Sequence, residues 1–267
     1  MQIKDQRILL TGASGGIGQA LARALAVRGA RLGLVGRGSA PLVGLAAALN
    51  GSGGEVLAIP ADLTLSAGRD SVRRAMHQGF GGIDVLINNA GTTDFTNFVD
   101  QDPEIIARIF ELNVLAPMQL TRAILPELLE QGSGQIVNLG SVLGSIAFPC
   151  FTTYSASKFA LRGFSEALRR ELDGSGIGVT YVAPRAVKTR LNSAAVYRMA
   201  EAVKMPMDDP EAVARQVVRA LESNSKDVYL GFPESLFVRV NALLPRLVDG
   251  ALRKQNRVMQ RFTQETR

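Results

Sequence analysis

The sequence is poor in the residues that most often build metal and nucleophile sites. Of its 267 residues, one is a cysteine (Cys150) and one a histidine (His77). A single thiol excludes an intramolecular disulfide framework, and the pair leaves almost no room for a His/Cys zinc site or a histidine-based triad, so no metal is expected. Tryptophan is absent, aromatics make up 6% of the chain, and no basic–aromatic interleaving occurs, which argues against nucleic acid as a partner. No apolar run reaches the roughly 18 residues that span a bilayer. The start, Met1 to Arg7, lacks a secretory apolar region, so a cytoplasmic, reducing compartment is the simplest expectation. Acidic residues are missing altogether between Asp5 and Glu55.

With 46% hydrophobic and 20% charged residues the chain can form a sizeable core. The net charge of +6 is concentrated at one end. From residue 234 onward, Arg239, Arg246, Arg253, Lys254, Arg257, Arg261 and Arg267 face only Glu234, Asp249 and Glu265, so this tail carries +4 of the total.

Short apolar runs alternate with helical patterns. Strand-like runs fall at 7–11, 31–35, 55–59, 83–87, 135–139 and 178–182. Helical spacing falls at 17–28, 41–49, around Val72 and Met76, at 103–129 and at 152–172, and a glycine-rich turn is expected at 51–54. A helix opening at 208–211 and a last strand at 228–230 follow. Strands separated by helical crossovers predict an α/β fold, a doubly wound parallel sheet (Rossmann fold) forming a single domain with a C-terminal helical extension. Ligands of such sheets lie at the C-terminal ends of the strands.

The first strand runs into Thr11-Gly12-Ala13-Ser14-Gly15-Gly16-Ile17-Gly18 and a helix follows at once. Glycines there permit a tight turn and close backbone approach to phosphate, and the helix start offers unpaired N–H groups to a pyrophosphate. Gly12, Ser14, Gly16, Ile17 and Gly18 are therefore candidate cofactor contacts. The second strand ends in Val35-Gly36-Arg37, where NAD-preferring folds usually place an acid on the ribose 2′-hydroxyl. A guanidinium at Arg37 suits a 2′-phosphate instead, so NADP(H) is expected over NAD(H).

Tyr154 and Lys158 stand four residues apart near the start of a helix and share one face of it. A free tyrosine titrates near ~10, and a neighbouring ammonium stabilises the phenolate and lowers that value. Ser141 follows the fifth strand on the ligand-bearing edge, where its hydroxyl can orient a substrate carbonyl beside Tyr154.

Taken together, the glycine turn, Ala61-Asp62-Leu63, Asn88-Asn89-Ala90-Gly91, Asn113, Ser141, and Tyr154 with Lys158 resemble the short-chain dehydrogenase/reductase family. The resemblance runs from about Ile8 to Thr189. It implies Tyr154 as the general acid/base, Lys158 as ribose ligand and modulator of the tyrosine, Ser141 as substrate-orienting hydroxyl, and Asn113 as holder of a relay water. It further implies Asp62, with Leu63, at the adenine. Asn89, Ala90 and Gly91 would pack near the cofactor, with Thr189 near the carboxamide. The implied activity is hydride transfer between NADP(H) and a small-molecule carbonyl or alcohol. The competing reading is a catalytically silent NADPH-binding sensor or scaffold. One departure stands out: where the family usually has Pro-Gly, this chain has Pro184-Arg185. Arg185 either swings outward without effect or lines the substrate pocket and attracts an acidic group.

Three other residues invite attention. Cys150 reads as a packed thiol, His77 as a surface or capping residue, and Phe148 with Phe151 as either pocket wall or core. Three segments are expected: a dinucleotide-binding and catalytic region over 1–192, a substrate-covering segment with the last strand over 193–232, and a basic amphipathic tail over 233–267. Tyr197, Met199, Met205 and Met207 give the covering segment its apolar character. In the tail, Leu236, Phe237, Val240, Leu243, Leu244 and Leu247 recur at helical spacing and Pro245 marks a kink or a second helix. Such a tail packs on the body or on a second subunit, or makes peripheral contact with an anionic membrane surface as a lipid-ketone reductase would. The helices at 103–129 and 152–172 resemble those that pair between subunits in this family, which implies a homodimer or homotetramer.

Overall fold

The computed structural model describes residues 1–50 and 54–263, apart from the side chain of Lys254. The core of the turn expected at 51–54 lies outside the described residues. Seven strands form one sheet: β1 (Arg7–Thr11), β2 (Arg31–Gly36), β3 (Val56–Pro60), β4 (Val85–Asn88), β5 (Gly134–Leu139), β6 (Ile177–Ala183) and β7 (Asp227–Tyr229). Every pairing is parallel and the order is β3-β2-β1-β4-β5-β6-β7, so the winding reverses between β1 and β4. Parallel neighbours need long crossovers, which the helices supply. Between strands lie α1 (Gly16–Ala26), α2 (Ser39–Leu49), α3 (Ser66–Phe80), α4 (Pro103–Phe110), α5 (Ala116–Gln131), α6 (Thr152–Glu171), α7 (Ala194–Ala202) and α8 (Pro210–Glu222), and after β7 come α9 (Glu234–Leu243) and α10 (Pro245–Arg261).

Successive strand residues point to opposite faces, and the core divides accordingly. Ile8 and Leu10 of β1 pack with Leu21, Leu25, Leu42 and Val217 from α1, α2 and α8. Leu9, between them, packs on the other face with Met76, Leu120 and Ile124 from α3 and α5. Both faces are covered, which is why the strands read as continuous apolar runs. Polar side chains enter the interior where they satisfy one another. Asn88 and Asn138, paired across β4 and β5, are linked by Asn88 Nδ2 donating to Asn138 Oδ1 at 2.8 Å. Asn138 Nδ2 then donates to Ser165 Oγ at 2.8 Å, which fastens α6 to the sheet.

The helix expected over 103–129 is in fact two. A π-helical segment at Glu111–Leu115 separates α4 from α5. The wider turn admits an extra residue, and such bulges concentrate at functional sites; this one carries Asn113. The tail also resolves. Pro245 opens α10 at its first turn, where its missing N–H costs nothing, so the tail is a helical hairpin rather than one kinked helix. Of the placements open to it, packing on the body is the one observed. Met259 is fully buried against Val196 and Met199, and Asn97 Nδ2 donates to Thr263 Oγ1 at 2.9 Å. The corner of the hairpin leaves Leu243, Leu244 and Leu247 exposed. Among the described residues, no helix is long and apolar enough to cross a membrane.

Replacing Asn138 by Ala removes the nearer of the Asn88 amide's two acceptors in a dry interior and leaves it only Thr121 Oγ1 at 3.3 Å. The expected loss is about 1–3 kcal/mol of unfolding free energy, read from urea midpoints. A change below about 0.5 kcal/mol, the range of ordinary surface substitutions, would mean the ladder contributes nothing.

Candidate active site

The reversal between β1 and β4 opens a crevice at the sheet's C-terminal edge, and the glycine turn fills its floor. Gly12 takes φ +65°, and a Cβ there would lie 2.8 Å from Ala90 Cα, so only glycine fits. Gly18 lies against the carbonyl of Gly12, with no room for a side chain. The turn is stitched to the 89–91 loop. Thr11 Oγ1 accepts from the backbone N–H groups of Asn89 (2.9 Å) and Ala90 (3.0 Å). Asn89 Nδ2 donates to the carbonyls of Thr11 (2.9 Å) and Gly12 (3.1 Å).

The resulting cleft, about 230 Å³, is lined by Gly12, Ser14, Ile17, Arg37, Asp62 and Thr189 among others. It fits a dinucleotide on two observations. The N-cap of α1, Gly15, has no side-chain partner and no acid stands in the first turn, so the helix's N–H groups face the cleft unopposed. The glycines also leave the floor bare of side chains. Leu63, Asn89, Ala90 and Gly91 line the same cleft, as do Gly36, Ala61, Leu112 and Leu191, which the sequence reading did not single out. Asp62 Oδ1 accepts from the N–H (3.0 Å) and Oγ1 (2.7 Å) of Thr64. Those bonds, with the charge of Arg37, hold its carboxyl below the usual range.

A second cavity, about 280 Å³, adjoins the first and shares Ile17, Thr189 and Leu191 with it. Ser141 and Tyr154 open into it. Ser141 caps a 3-10 turn at Val142–Gly144, its Oγ accepting from the N–H of Leu143 at 3.1 Å. Tyr154 and Lys158 lie on one face of α6, with Lys158 Nζ 5.7 Å from the tyrosine ring centroid. Lys158 is 5% exposed and donates to the carbonyl of Leu139 at 2.8 Å. Asn113 is 1% exposed. Its Oδ1 accepts from the N–H of Thr92 (2.8 Å), and its Nδ2 donates to the Thr92 carbonyl (2.9 Å) and Ser157 Oγ (3.0 Å). A Cβ built on Gly91 would meet Asn113 Oδ1 at 3.2 Å and Lys158 Nζ at 3.8 Å, so these two groups flank the same point.

The electrostatics differ from the sequence expectation for Tyr154. Burial pushes the phenol up to about 12, opposed only by a hydrogen bond with Ser141, and burial pushes Lys158 down to about 8. The ammonium bonds to a backbone carbonyl rather than to the phenol, so desolvation dominates at both groups. Arg185 lines the second cavity, as one of its two expected courses had it, but its guanidinium is bound to acids of this chain. Its Nε and Nη2 donate to Asp208 at 3.0 and 2.7 Å, and Nη1 donates to Glu234 at 3.2 Å, at the edge of the second cavity.

Cys150 is buried, its thiol is pushed up to about 11 by that burial, and its Sγ lies 3.6 Å from Asn97 Oδ1. His77 pairs with Glu127 at 3.0 Å on the surface. Phe148 and Phe151 both line the second cavity. So do Leu252, Gln255 and Met259 of α10, which the sequence analysis did not single out. Their i, i+3, i+7 spacing was the available signal. Among the described residues no cluster of His, Cys, Asp and Glu could hold a metal ion.

A parallel sheet whose switch-point crevice opens onto Ser141 and Tyr154 defines a dinucleotide-binding α/β protein. The chain belongs to the short-chain dehydrogenase/reductase family of oxidoreductases: the family model described as short chain dehydrogenase matches residues 6–199. It is 34% identical over 253 residues to the ketoacyl reductase HetN of Nostoc sp., an alignment covering 92% of this chain and 88% of that one. Among solved structures, a short-chain dehydrogenase from Sphingobium yanoikuyae in complex with NADPH is 31% identical, with a TM-score of 0.77 over 91% of this chain and 94% of that one. A family member from Burkholderia phymatum in complex with NAD shares the fold at a TM-score of 0.84 and 24% identity, over 92% of this chain and 96% of that one.

The buried ammonium has a consequence for stability. A lysine at about 8 in the folded chain titrates at 10.5 when unfolded. Between those values the unfolded chain holds more protons, so stability rises with pH. Tyr154, raised by burial, acts with the opposite sign only above pH 10. From pH 8 to 10, the urea midpoint of the wild type should therefore climb relative to Lys158→Met. Parallel curves would show that the ammonium is not penalised by burial.

Proposed function

We propose that the protein is an NADP(H)-dependent oxidoreductase acting on a carbonyl/alcohol pair. The observation that carries this reading is that Tyr154 and Ser141 together line the second cavity, which adjoins the cleft at Ile17, Thr189 and Leu191. In reduction, Tyr154 Oη gives its proton to the carbonyl oxygen as that oxygen gains the electron pair of the C=O bond. Ser141 Oγ holds the same oxygen. The bound cofactor supplies the hydride to the carbonyl carbon. Lys158, beside the cofactor ribose, draws the phenol's titration downward from its buried value and, with a water held at Asn113, returns the proton to Tyr154. In oxidation the phenolate takes the proton back. Gly12, Ser14, Gly16, Ile17 and Gly18 receive the pyrophosphate, Asp62 and Leu63 the adenine, Asn89, Ala90 and Gly91 support the cofactor, and Thr189 takes the carboxamide. On this reading residues 1–192 bind the dinucleotide and perform the chemistry, 193–232 cover the substrate, and 233–267 form the tail.

The preference for NADP(H) is supported by Arg37. It follows the end of β2, exposed at the cleft wall, in a stretch with no acid from Gln6 to Gly54. A guanidinium there pairs with a 2′-phosphate in two-pronged geometry. The competing reading, NADPH binding without turnover, leaves the phenol that lines the second cavity without a task.

Tyr154→Phe should lower kcat by about 10²–10⁴, the usual worth of a positioned acid/base, with NADPH affinity held within a few fold. Wild-type turnover in that variant would refute the assignment. Arg37→Ala should raise KM for NADPH by about tenfold, equivalent to ~1.4 kcal/mol, and leave KM for NADH unchanged. Equal effects on both cofactors would remove Arg37 from the 2′-phosphate site.

A further inference from the structure

Arg185 occupies the place where its family usually has glycine, and the structure gives the substitution a task. The side chain extends from the loop after β6 and binds two carboxylates from two other parts of the chain. Asp208 lies within the covering segment, just before α8; it receives both prongs of the guanidinium. Glu234 is the first residue of α9 and receives the third nitrogen. The three side chains are each about one-fifth exposed (19%, 21% and 22%), so this is a partly desolvated cluster rather than a surface pair. Gly231, just before α9, has φ +93°, and a Cβ there would lie 2.6 Å from Arg185 Cδ, so the chain passes directly over the arginine stem.

What the cluster holds in place is the outer wall of the second cavity. Phe237 of α9 and Leu252, Gln255 and Met259 of α10 line it together with Phe148 and Phe151. Met259 is fully buried and packs on Met199 of α7, so the covering segment and the tail meet as one apolar roof. Thr93 adds one buried hydroxyl without a hydrogen-bond partner at the cavity wall. Of the charged residues lining the cavity, Arg185 and Glu234 bind each other, and Lys204 is exposed.

We propose that the Arg185–Asp208–Glu234 clasp fixes the α9–α10 hairpin as the specificity wall of the site, so that the protein selects carbonyl or alcohol substrates with a compact apolar body over small polar ones. The proposal rests on the oxidoreductase reading of Tyr154. The volume of about 280 Å³ falls just below the usual range of small-ligand pockets, roughly 300 to 1,000 Å³. It suits a fused-ring or short branched ketone rather than a long chain. Arg185 is a positioning residue here: it acts through the hairpin, and its charge is neutralised before any substrate arrives.

The test compares acetone, cyclohexanone and trans-1-decalone as substrates with NADPH, using the full chain. In the wild type, kcat/KM should rise at least 100-fold from acetone to decalone. Arg185→Met should cut the decalone-to-acetone ratio at least tenfold, mainly through KM for decalone, with NADPH affinity within twofold; Arg185→Lys should recover part of the ratio. Met259→Trp, which fills the cavity from the roof, should reject decalone and keep cyclohexanone, and Met259→Ala gives the converse gain in case the larger residue does not fold. Saturation-transfer NMR of decalone with NADP⁺ present reads occupancy without turnover. Decalone that binds the wild type but not Met259→Trp, with no turnover of any ketone, would overturn the Tyr154 reading and leave the wall standing. Turnover of all three ketones with equal kcat/KM would overturn the wall, as would no binding of decalone, or equal losses on every substrate in Arg185→Met.

Discussion

The hydroxyl of Thr11 sits where the sheet changes its direction of winding, and it binds both sides of that seam. It accepts from two successive N–H groups of the loop after β4 while its own strand leads into the glycine turn. Without it the two loops that frame the cleft would be independent pieces of surface. With it, and with the Asn89 amide returning two bonds to the turn, they form one rigid rim. The loop then continues to Gly91 and Thr92, where Asn113 grips it from the other side and reaches on to Ser157 of α6. A chain of hydrogen bonds thus runs from the first strand to the helix that carries Tyr154.

That chain explains why the polar groups of the site are costly and yet ordered. Lys158 and Asn113 are buried because each has a partner supplied by a fixed element, a strand-end carbonyl for one and a loop amide for the other. An unpaired group in the same positions would destabilise the fold by more than a surface group gains it. The π-helical turn belongs to the same economy. It lets Asn113 face inward at a point where a regular helix would carry it round to another side.

Much of this was legible in the chain. Strand runs such as Ile8-Leu9-Leu10 could only be two-sided and buried, and the glycine turn between strand and helix pointed to the crevice. Three features were not legible, for physical reasons. The break at 111–115 keeps helical composition, since a widened turn needs no glycine or proline to mark it. The destiny of Arg185 depended on Asp208 and Glu234, residues remote in sequence whose approach is set by the sheet and by the path over Gly231. Spacing brings Lys158 near Tyr154, but it does not show that the ammonium bonds the Leu139 carbonyl or that burial raises the phenol, both of which the fold decides.

The roof made by α10 ties the two cavities to different lengths of chain. The rim around the nucleotide crevice draws on residues 12 to 191, and the sheet beneath it also needs α8, whose Val217 packs with Ile8 and Leu10. The adjoining chamber takes part of its wall from residues 252 to 259. Loss of that helix would open the chamber while leaving every residue of the crevice's lining in place.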